Sequence, residues 1–368
     1  MSNNRTTGVR ARRALSKLEP YSPGKPIWEV QRELGLTEVI KLASNENALG
    51  PSPRAIEAVA AALPEMHRYP DAQAHDLKGA LAAKLQVDPG QIIVTNGGDE
   101  LITLLSESYL EPGDEVVVPD PSFSEYIFGA HLMDAVIVKV PMEERFRYYW
   151  RAIAEAVTER TKLVYLCSPN NPTGTYMRRA ELQQLLDALP PHVLVIMDSA
   201  YSHFVDADDY SDGLEFIQAG YPVLMLQTFS KIYGLAGIRV GYGVAQAELI
   251  NNIQQVKEPF NVNALAQTAA LAALEDDEHV QRSRDLVVQE RLRLYAAFDR
   301  LGVRYTESMS NFILLELGPD AERLYKRLME GGVIVRYGRG WGLPHCIRVS
   351  VGTPAENDKF LSVLELVL

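Results

Sequence analysis

Cysteine is scarce in this sequence, and long apolar runs are missing from it. Only Cys167 and Cys346 occur in 368 residues, which is too few for a disulfide framework, so we expect a reducing cytoplasmic location. No stretch approaches the about 20 consecutive apolar residues that a membrane-spanning helix needs. The first 18 residues are polar and basic, without the apolar centre of a secretory signal. We therefore expect a loose N-terminal arm rather than a leader or a transit peptide.

Basic residues are outnumbered by acidic ones. The chain has 36 Lys and Arg against 48 Asp and Glu, a formal net charge of −12, which argues against nucleic acid or an anionic membrane as the main partner. The seven histidines show no metal-ligand spacing, so no metal site is predicted. His203 and His345 lie close in sequence to candidate site residues and can line a pocket, although surface or core roles are favoured.

Five short apolar runs alternate with helical patterns in the first two thirds of the chain. They are apolar without polar alternation, as strands buried on both faces of a parallel sheet are. Strands separated by helices predict an α/β architecture. The runs are residues 91–95, 114–119, 162–169, 193–198 and 222–228.

The pattern of the sequence changes after about Asn261, where a region of helical patterns precedes three further apolar runs. This order predicts a smaller α+β unit with an antiparallel sheet. We expect residues 1–49 to form the arm and part of the small domain, 50–260 the large domain, and 261–368 the C-terminal small domain. The charged run 274–285 is interpreted as a solvated helix face.

Polar residues follow the predicted strands where ligands bind in open α/β sheets, at the carboxyl ends. Asn171 follows one strand, Asp198 ends the next with Tyr201 close behind, and Lys231 follows a third. The segment Gly98–Glu100 opens a helix, whose free N–H groups suit an anion such as phosphate.

Together these side chains suit one cofactor, pyridoxal 5′-phosphate. A lysine amine can hold an aldehyde cofactor covalently, which suits Lys231. The carboxylate of Asp198 can keep a pyridine nitrogen protonated, which makes the ring an electron sink. Asn171 and Tyr201 can hydrogen-bond a phenolic oxygen. The phosphate would be held by Gly98, Asp99, Glu100, Ser230 and Arg239.

Each of these residues also has a plainer interpretation. Asp198 and Asn171 taken singly are more often cap or turn residues, and a lone lysine is more often a solvated charge. Tyr201 taken singly is more often a core residue whose hydroxyl is hydrogen-bonded. The ordered set at successive strand ends is what favours a cofactor site.

The sequence resembles the histidinol-phosphate aminotransferase family of fold-type I aminotransferases. The resemblance runs along nearly the whole chain. It rests most firmly on "SPNNPTG" and "SKIYGLAGIRVGY", and is extended by "LASNENALGP", "RYPD", "TNGGDELI", "PSFSEY" and "IRVSVGT". It implies a large domain with a mostly parallel sheet sandwiched by helices, and a smaller α+β domain.

The resemblance implies a role for each matching residue. Lys231 would carry the cofactor and then shuttle the proton between the substrate α-carbon and the cofactor, with Phe123 stacked on the cofactor ring. Tyr69 would reach the phosphate of the other subunit, which implies a homodimer. Arg348 would bind the anionic end of the substrate, helped by Tyr21, Asn45 and Arg336.

The reaction implied is amino transfer from L-histidinol phosphate to 2-oxoglutarate in histidine biosynthesis. An aromatic amino-acid aminotransferase, a threonine-phosphate decarboxylase-like enzyme and an amine-oxidising enzyme remain open, as does a non-catalytic pyridoxal-phosphate-binding protein. The chain departs from the family pattern at Ser199, usually Glu, and at Gln227, often Arg. These two departures leave the identity of the substrate and the pathway open. They do not put cofactor binding in doubt.

Overall fold

The computed structural model describes residues 9–18 and 24–368. Tyr21 therefore lies outside the described residues. Within them the chain forms thirteen α-helices. These are Ile27–Leu34 (α1), Pro53–Ala62 (α2), His75–Leu85 (α3), Gly98–Tyr109 (α4), Glu125–Leu132 (α5), Trp150–Glu155 (α6), Arg179–Ala188 (α7), Leu214–Gln218 (α8), Ala247–Gln254 (α9), Ala264–Leu274 (α10), Asp277–Leu301 (α11), Ala321–Glu330 (α12) and Pro354–Val367 (α13).

The same residues form thirteen strands. These are Ile40–Lys41 (β1), Ile92–Thr95 (β2), Glu115–Asp120 (β3), Val136–Pro141 (β4), Thr161–Cys167 (β5), Leu194–Asp198 (β6), Val223–Thr228 (β7), Gly241–Val244 (β8), Arg304–Thr306 (β9), Phe312–Glu316 (β10), Val333–Ile334 (β11), Arg336–Tyr337 (β12) and Cys346–Ser350 (β13).

Seven strands form a central sheet in the order β2-β8-β7-β6-β5-β3-β4. Only β8 runs antiparallel to its neighbours, so the sheet is mostly parallel, as predicted. All five predicted strands are present. Strands β4 and β8 were not predicted. β4 lies at the sheet edge with three of its six residues exposed, and β8 is a short glycine-containing strand.

Helices cover both faces of this sheet, which confirms the predicted α/β sandwich. Leu101 and Leu105 of α4 pack with Ile250 of α9 on one face. Leu81 of α3 and Leu185 of α7 pack on the other. The strands are buried from both sides, which explains why their sequences are apolar without alternation.

A four-stranded antiparallel sheet, in the order β12-β13-β10-β9, lies in the C-terminal part of the chain. The second of the three apolar runs predicted after Asn261, residues 332–338, does not form one strand. Its first half, β11, pairs in parallel with β1, and its second half, β12, joins the antiparallel sheet. The N-terminal segment that carries Asn45 is thereby attached to the C-terminal part of the chain.

The interpretation of residues 274–285 as a solvated helix face is only partly right. The helix breaks before Asp276, whose side chain accepts a hydrogen bond from the backbone N–H of His279 and caps α11. Asp276, His279 and Ser283 are buried, because this end of α11 packs against the segment that contains Gly50 and Ser52. The remaining charged residues of the run are mostly exposed.

Within the described part of the chain, no helix is both long enough and apolar enough to span a bilayer.

Candidate active site

Lys231 lies in the turn that follows β7, with its ammonium group inside the molecule. Nζ donates a hydrogen bond to the backbone oxygen of Ser44 at 3.2 Å and lies 5.6 Å from the centre of the Tyr201 ring. Burial, reinforced by the positive charge of Arg348, lowers the pKa of Lys231 to about 8. The residue is therefore a buried amine that loses its proton easily, and not the solvated charge that a lone lysine usually is.

Asp198 ends β6 and is buried at the edge of the central sheet. Its Oδ2 accepts a hydrogen bond from the hydroxyl of Tyr126 at 2.5 Å, and its Oδ1 accepts one from the backbone N–H of Ala200. Burial raises the pKa of Asp198 to about 6, while the bond from Tyr126 acts in the opposite direction. A desolvated carboxylate of this kind favours a cationic partner.

Tyr201 and Asn45 come together from distant parts of the chain. The side-chain amide of Asn45 donates to the hydroxyl of Tyr201 at 3.0 Å. Asn45 is buried in a left-handed backbone conformation with φ of 56°. Its backbone N–H donates to Ser350 of β13. Asn45 thus links Tyr201 to the antiparallel sheet.

Asn171 faces Arg348 across the same site. Arg348 of β13 donates one hydrogen bond to the side-chain oxygen of Asn171 and another to the backbone oxygen of Ala43 at 2.7 Å. Because the Asn171 oxygen accepts the bond from Arg348, its amide N–H₂ is the group available as a donor to a ligand.

The N-terminus of α4 and the turn after Lys231 form a cradle for an anion. Gly97 has φ of 82°, and a Cβ at this position would lie 2.5 Å from Nη2 of Arg239. The guanidinium of Arg239 donates to the hydroxyl of Ser230 at 3.4 Å. A cation and a hydroxyl therefore adjoin the free N–H groups of Gly98 and its neighbours, as a phosphate site requires.

The two acidic residues at the start of α4 differ in their contacts. The exposed carboxylate of Asp99 accepts a hydrogen bond from Arg239 at 3.2 Å. The carboxylate of Glu100 accepts bonds from the Asn96 N–H and the Asn261 amide. Glu100 is thus left with its backbone N–H as the group that can contact a phosphate.

Phe123 lies between β3 and α5 and is partly exposed. Its ring makes an edge contact with Tyr126 at 5.6 Å, and Tyr126 stacks on Tyr165 at 4.3 Å. One face of the Phe123 ring is therefore not taken up by these contacts.

Arg336 and Arg348 are direct cross-strand partners in the antiparallel sheet. Like charges placed opposite each other repel, so this pairing favours a shared anion. The ring of Trp341 contacts both groups, with 6.0 Å from the Arg336 guanidinium and 4.9 Å from that of Arg348. The two arginines and the tryptophan form a basic, aromatic-walled site.

Tyr69 lies apart from these residues. It is 83% exposed, and its ring stacks on Phe260 at 4.8 Å. Among the described residues, no contact brings Tyr69 to the cradle around Arg239, and its predicted role concerns a second subunit. Tyr21 lies outside the described residues, so its predicted role stays a prediction.

Sequence reasoning missed Tyr126 and Trp341. Tyr126 lay within the quoted "PSFSEY" motif, three residues after Phe123, and its position on the inner face of α5 could have indicated it. Trp341 lies in a glycine-rich segment between two arginines, and only the register of β12 and β13 brings it to both. Among the described residues, no group of three His, Cys, Asp or Glu side chains is arranged to hold a metal ion.

The comparisons with known proteins agree with this geometry. Residues 37–364 match the family model of aminotransferase class I and II. The chain is 48% identical over 363 residues to the histidinol-phosphate aminotransferase of Moorella thermoacetica, covering 98% of this chain and 94% of that one. It is 45% identical to that of Symbiobacterium thermophilum, covering 97% and 98%.

A solved structure shares the fold over almost the whole length. The histidinol-phosphate aminotransferase of Sinorhizobium meliloti, in complex with pyridoxal 5′-phosphate, superposes with a TM-score of 0.90 at 27% identity, covering 98% of each chain.

The fold and these relatives define a pyridoxal-phosphate-dependent enzyme. The chain belongs to the class I and II aminotransferases. The residues present fit the cofactor. They supply a buried amine of lowered pKa, a desolvated carboxylate for the ring nitrogen, donors for the phenolic oxygen, and a cradle with an arginine for the phosphate.

Proposed function

We propose that this aminotransferase moves the amino group of L-histidinol phosphate to 2-oxoglutarate, giving imidazole acetol phosphate and L-glutamate. The observation that carries the proposal is the cross-strand pairing of Arg336 and Arg348 against Trp341. Two guanidinium groups at one site suit the two negative charges of a phosphate monoester. The high identity to histidinol-phosphate aminotransferases over nearly the full length supports the same substrate.

One site can serve both substrates because arginine binds phosphate and carboxylate alike. Its planar group forms paired hydrogen bonds with either anion. In the first half of the reaction Arg348 and Arg336 would hold the phosphate of the donor, and in the second half a carboxylate of 2-oxoglutarate. The flat side of Trp341 would pack beside the substrate.

The proposed cofactor contacts involve three parts of the cofactor: the pyridine ring, the phenolic oxygen and the phosphate. Asp198 would hold a proton on the pyridine nitrogen, with Phe123 against the ring face. Asn171 and Tyr201 would donate hydrogen bonds to the phenolic oxygen. Backbone groups of Gly98, Asp99 and Glu100, with Ser230 and Arg239, would hold the phosphate.

Bound at this site, pyridoxal 5′-phosphate supplies an electron sink for the pair left when the α C–H bond of the donor breaks. Lys231 would hold the cofactor covalently through Nζ, and as a free, neutral amine it would take the α-proton of the donor and deliver it to the cofactor's aldehyde carbon. The lowered pKa of Lys231 supports this role, because a general base must be neutral to accept a proton.

We also propose that the enzyme is a homodimer that works in the cytoplasm. The exposed Tyr69–Phe260 pair and the exposed apolar side chains of Ile56 and Met66 support a second subunit on this side. Tyr69 would then complete the phosphate site of the partner. Two buried free cysteines fit a reducing compartment.

The test is a comparison of amino donors on the purified holoenzyme, with 2-oxoglutarate as acceptor. We expect kcat/KM for L-histidinol phosphate to exceed that for L-phenylalanine. Arg336→Gln should lower the former by about 30-fold or more and the latter far less, since truncating one partner of a buried charge contact costs about 2–5 kcal/mol.

Arg304→Gln is the matched control, because Arg304 lies in the same sheet but is largely exposed. It should leave both constants unchanged. A higher kcat/KM with phenylalanine would reassign the enzyme to aromatic amino acids. Carbon dioxide release or oxygen uptake would mean another reaction, and no turnover with any donor would favour a binding protein.

A further inference from the structure

A cavity beside the central sheet is lined by none of the residues assigned to the proposed active site. Asp198 pairs with Leu226 of β7, so their side chains share one face, and Gln227 points to the other. Gln227 and its cross-strand partner Tyr242 line a cavity of about 560 Å³. Ser202, His203, Tyr210 and Asp212 also line it.

Two polar groups in the cavity wall have hydrogen-bonding atoms without partners in the described part of the chain. Gln227 is only 3% exposed; its Nε2 donates to Ser202 at 2.6 Å, whereas its Oε1 is buried and accepts no bond from the described residues. Nδ1 of His203 is likewise buried and has no partner among them. Burial lowers the pKa of His203 to about 4, so its ring is neutral at pH 7 and one ring nitrogen can accept a hydrogen bond.

Asp212 gives the cavity a negative charge. Its Oδ1 accepts one bond from the backbone N–H of Leu214, and among the described residues no ion pair to Asp212 occurs. Burial raises the pKa of this carboxyl, with no cation offsetting the effect. The nearby carboxylate of Glu215 is, by contrast, held by Arg179. No lysine or arginine of the described chain lines the cavity.

The remaining walls are aromatic and apolar. The rings of Tyr210 and Tyr242 face the cavity together with Leu214 and Met225. Aromatic faces attract cations, and apolar side chains suit the body of an organic molecule. Ser199, whose hydroxyl donates to the backbone oxygen of Asp212 at 2.8 Å, and Gln227 are the two positions where the sequence departs from the family pattern. Gln227 therefore lines the cavity itself, and Ser199 lies behind its wall, in contact with the backbone of Asp212.

We propose that this cavity is a binding site for a small organic cation with N–H donors, of the amidinium, guanidinium or protonated-amine type. The carboxylate of Asp212 balances the charge, and Oε1 of Gln227 accepts an N–H of the ligand. The tyrosine rings and Leu214 enclose its apolar part. The site is separate from the transfer reaction and takes a ligand of opposite charge to the anions that Arg336 and Arg348 suit.

The probe is benzamidine, titrated calorimetrically into the holoenzyme without substrates. Benzamidine is a flat cation with N–H donors, and it is not an amine that would compete for the cofactor aldehyde. We expect saturable binding to the wild type, and binding at least tenfold weaker for the neutral analogue benzamide. Equal binding of the two, or none of benzamidine, would overturn the proposal.

Variants locate the site. Asp212→Asn and, separately, Gln227→Met should each weaken benzamidine binding at least tenfold. Asp208→Asn makes the same charge change at an exposed position outside the cavity and should not. The two cavity variants remove different groups, so misfolding of one, seen in its thermal unfolding, leaves the other to decide. Unchanged binding in a folded cavity variant would place the ligand elsewhere and refute the assignment.

Discussion

Arg348 donates a hydrogen bond to the side-chain oxygen of Asn171, joining the antiparallel sheet to the end of a parallel strand. The two residues are 177 positions apart in sequence. Arg348 is proposed to bind the substrate anion, and Asn171 the cofactor oxygen. A substitution of Arg348 is therefore expected to affect both substrate binding and cofactor binding.

We predict that Arg348→Gln raises KM for both substrates by about 100-fold, since a buried charged hydrogen-bonding partner contributes about 2–5 kcal/mol when truncated. Cofactor affinity should fall by a smaller factor, because Asn171 loses the bond that orients its amide. Steady-state kinetics and cofactor titration measure the two effects. The exposed Arg304→Gln is the control. An unchanged KM would remove Arg348 from the substrate site.

The Tyr126→Phe variant tests whether the hydrogen bond from the Tyr126 hydroxyl stabilises the charged form of Asp198. The hydroxyl bond lowers the pKa of Asp198, so its loss should raise that pKa further above the present value of about 6. Asp198 would then be protonated over a wider pH range. We expect the acidic limb of the kcat/KM profile to move to higher pH and cofactor affinity to fall about tenfold, in line with about 1.5–3 kcal/mol for a hydrogen bond to a charged group.

Tyr165→Phe is the matched control for that substitution. Tyr165 stacks on Tyr126, and its hydroxyl is buried without a direct hydrogen bond to any of the described residues. Removing the Tyr165 hydroxyl should leave the acidic limb of the kcat/KM profile at the same pH. A shift of similar size in both variants would mean that the effect comes from packing and not from the bond to Asp198.

The pH dependence of the proton-transfer step reports on Lys231. A lysine whose pKa is lowered to about 8 is mostly charged below that pH and mostly neutral above it. Only the neutral amine can take the α-proton, so the single-turnover rate should rise with pH through about 8 and then level off. Rapid-mixing kinetics from pH 6 to 10 measure it. A rate that falls or stays flat over this range would contradict the assignment of Lys231 as base.

The close approach of the Lys231 turn to the N-terminal segment gives a stability prediction. Gly234 has φ of 70°, and a Cβ there would lie 2.2 Å from the backbone oxygen of Gly50. We expect Gly234→Ala to lower the free energy of unfolding by about 1–3 kcal/mol or more. Gly237→Ala, with nothing within 4 Å of its Cβ, is the control and should change it little. Equal denaturation midpoints for Gly234→Ala and the wild type would show that residue 234 does not pack tightly against Gly50.

The parts of the site that lie at strand ends were predictable from sequence. Asp198, Asn171 and Lys231 each follow an apolar run, and the carboxyl ends of parallel strands meet at one edge. The parallel sheet itself followed from runs without polar alternation. The short β8 was not predictable in this way, because four residues containing two glycines carry no strand pattern.

The contacts between distant segments were beyond sequence reasoning. Tyr126 reaches Asp198 across 72 positions, and Asn45 reaches Tyr201 across 156. Such pairs depend on how helices and sheets pack, which no local pattern encodes. The meeting of Gln227, His203 and Asp212 in the wall of one cavity is equally a product of packing.

The most direct test is a single turnover with L-histidinol phosphate and no acceptor. We predict that the holoenzyme releases about one equivalent of imidazole acetol phosphate per active site and then stops until 2-oxoglutarate is added. Lys231→Ala should release it at least about 10²-fold more slowly, in line with the 10²–10⁴-fold contribution of a general base. Lys326→Ala, at an exposed lysine, should match the wild type. No product from the folded, cofactor-loaded wild type, or an equal rate from Lys231→Ala, would contradict the account.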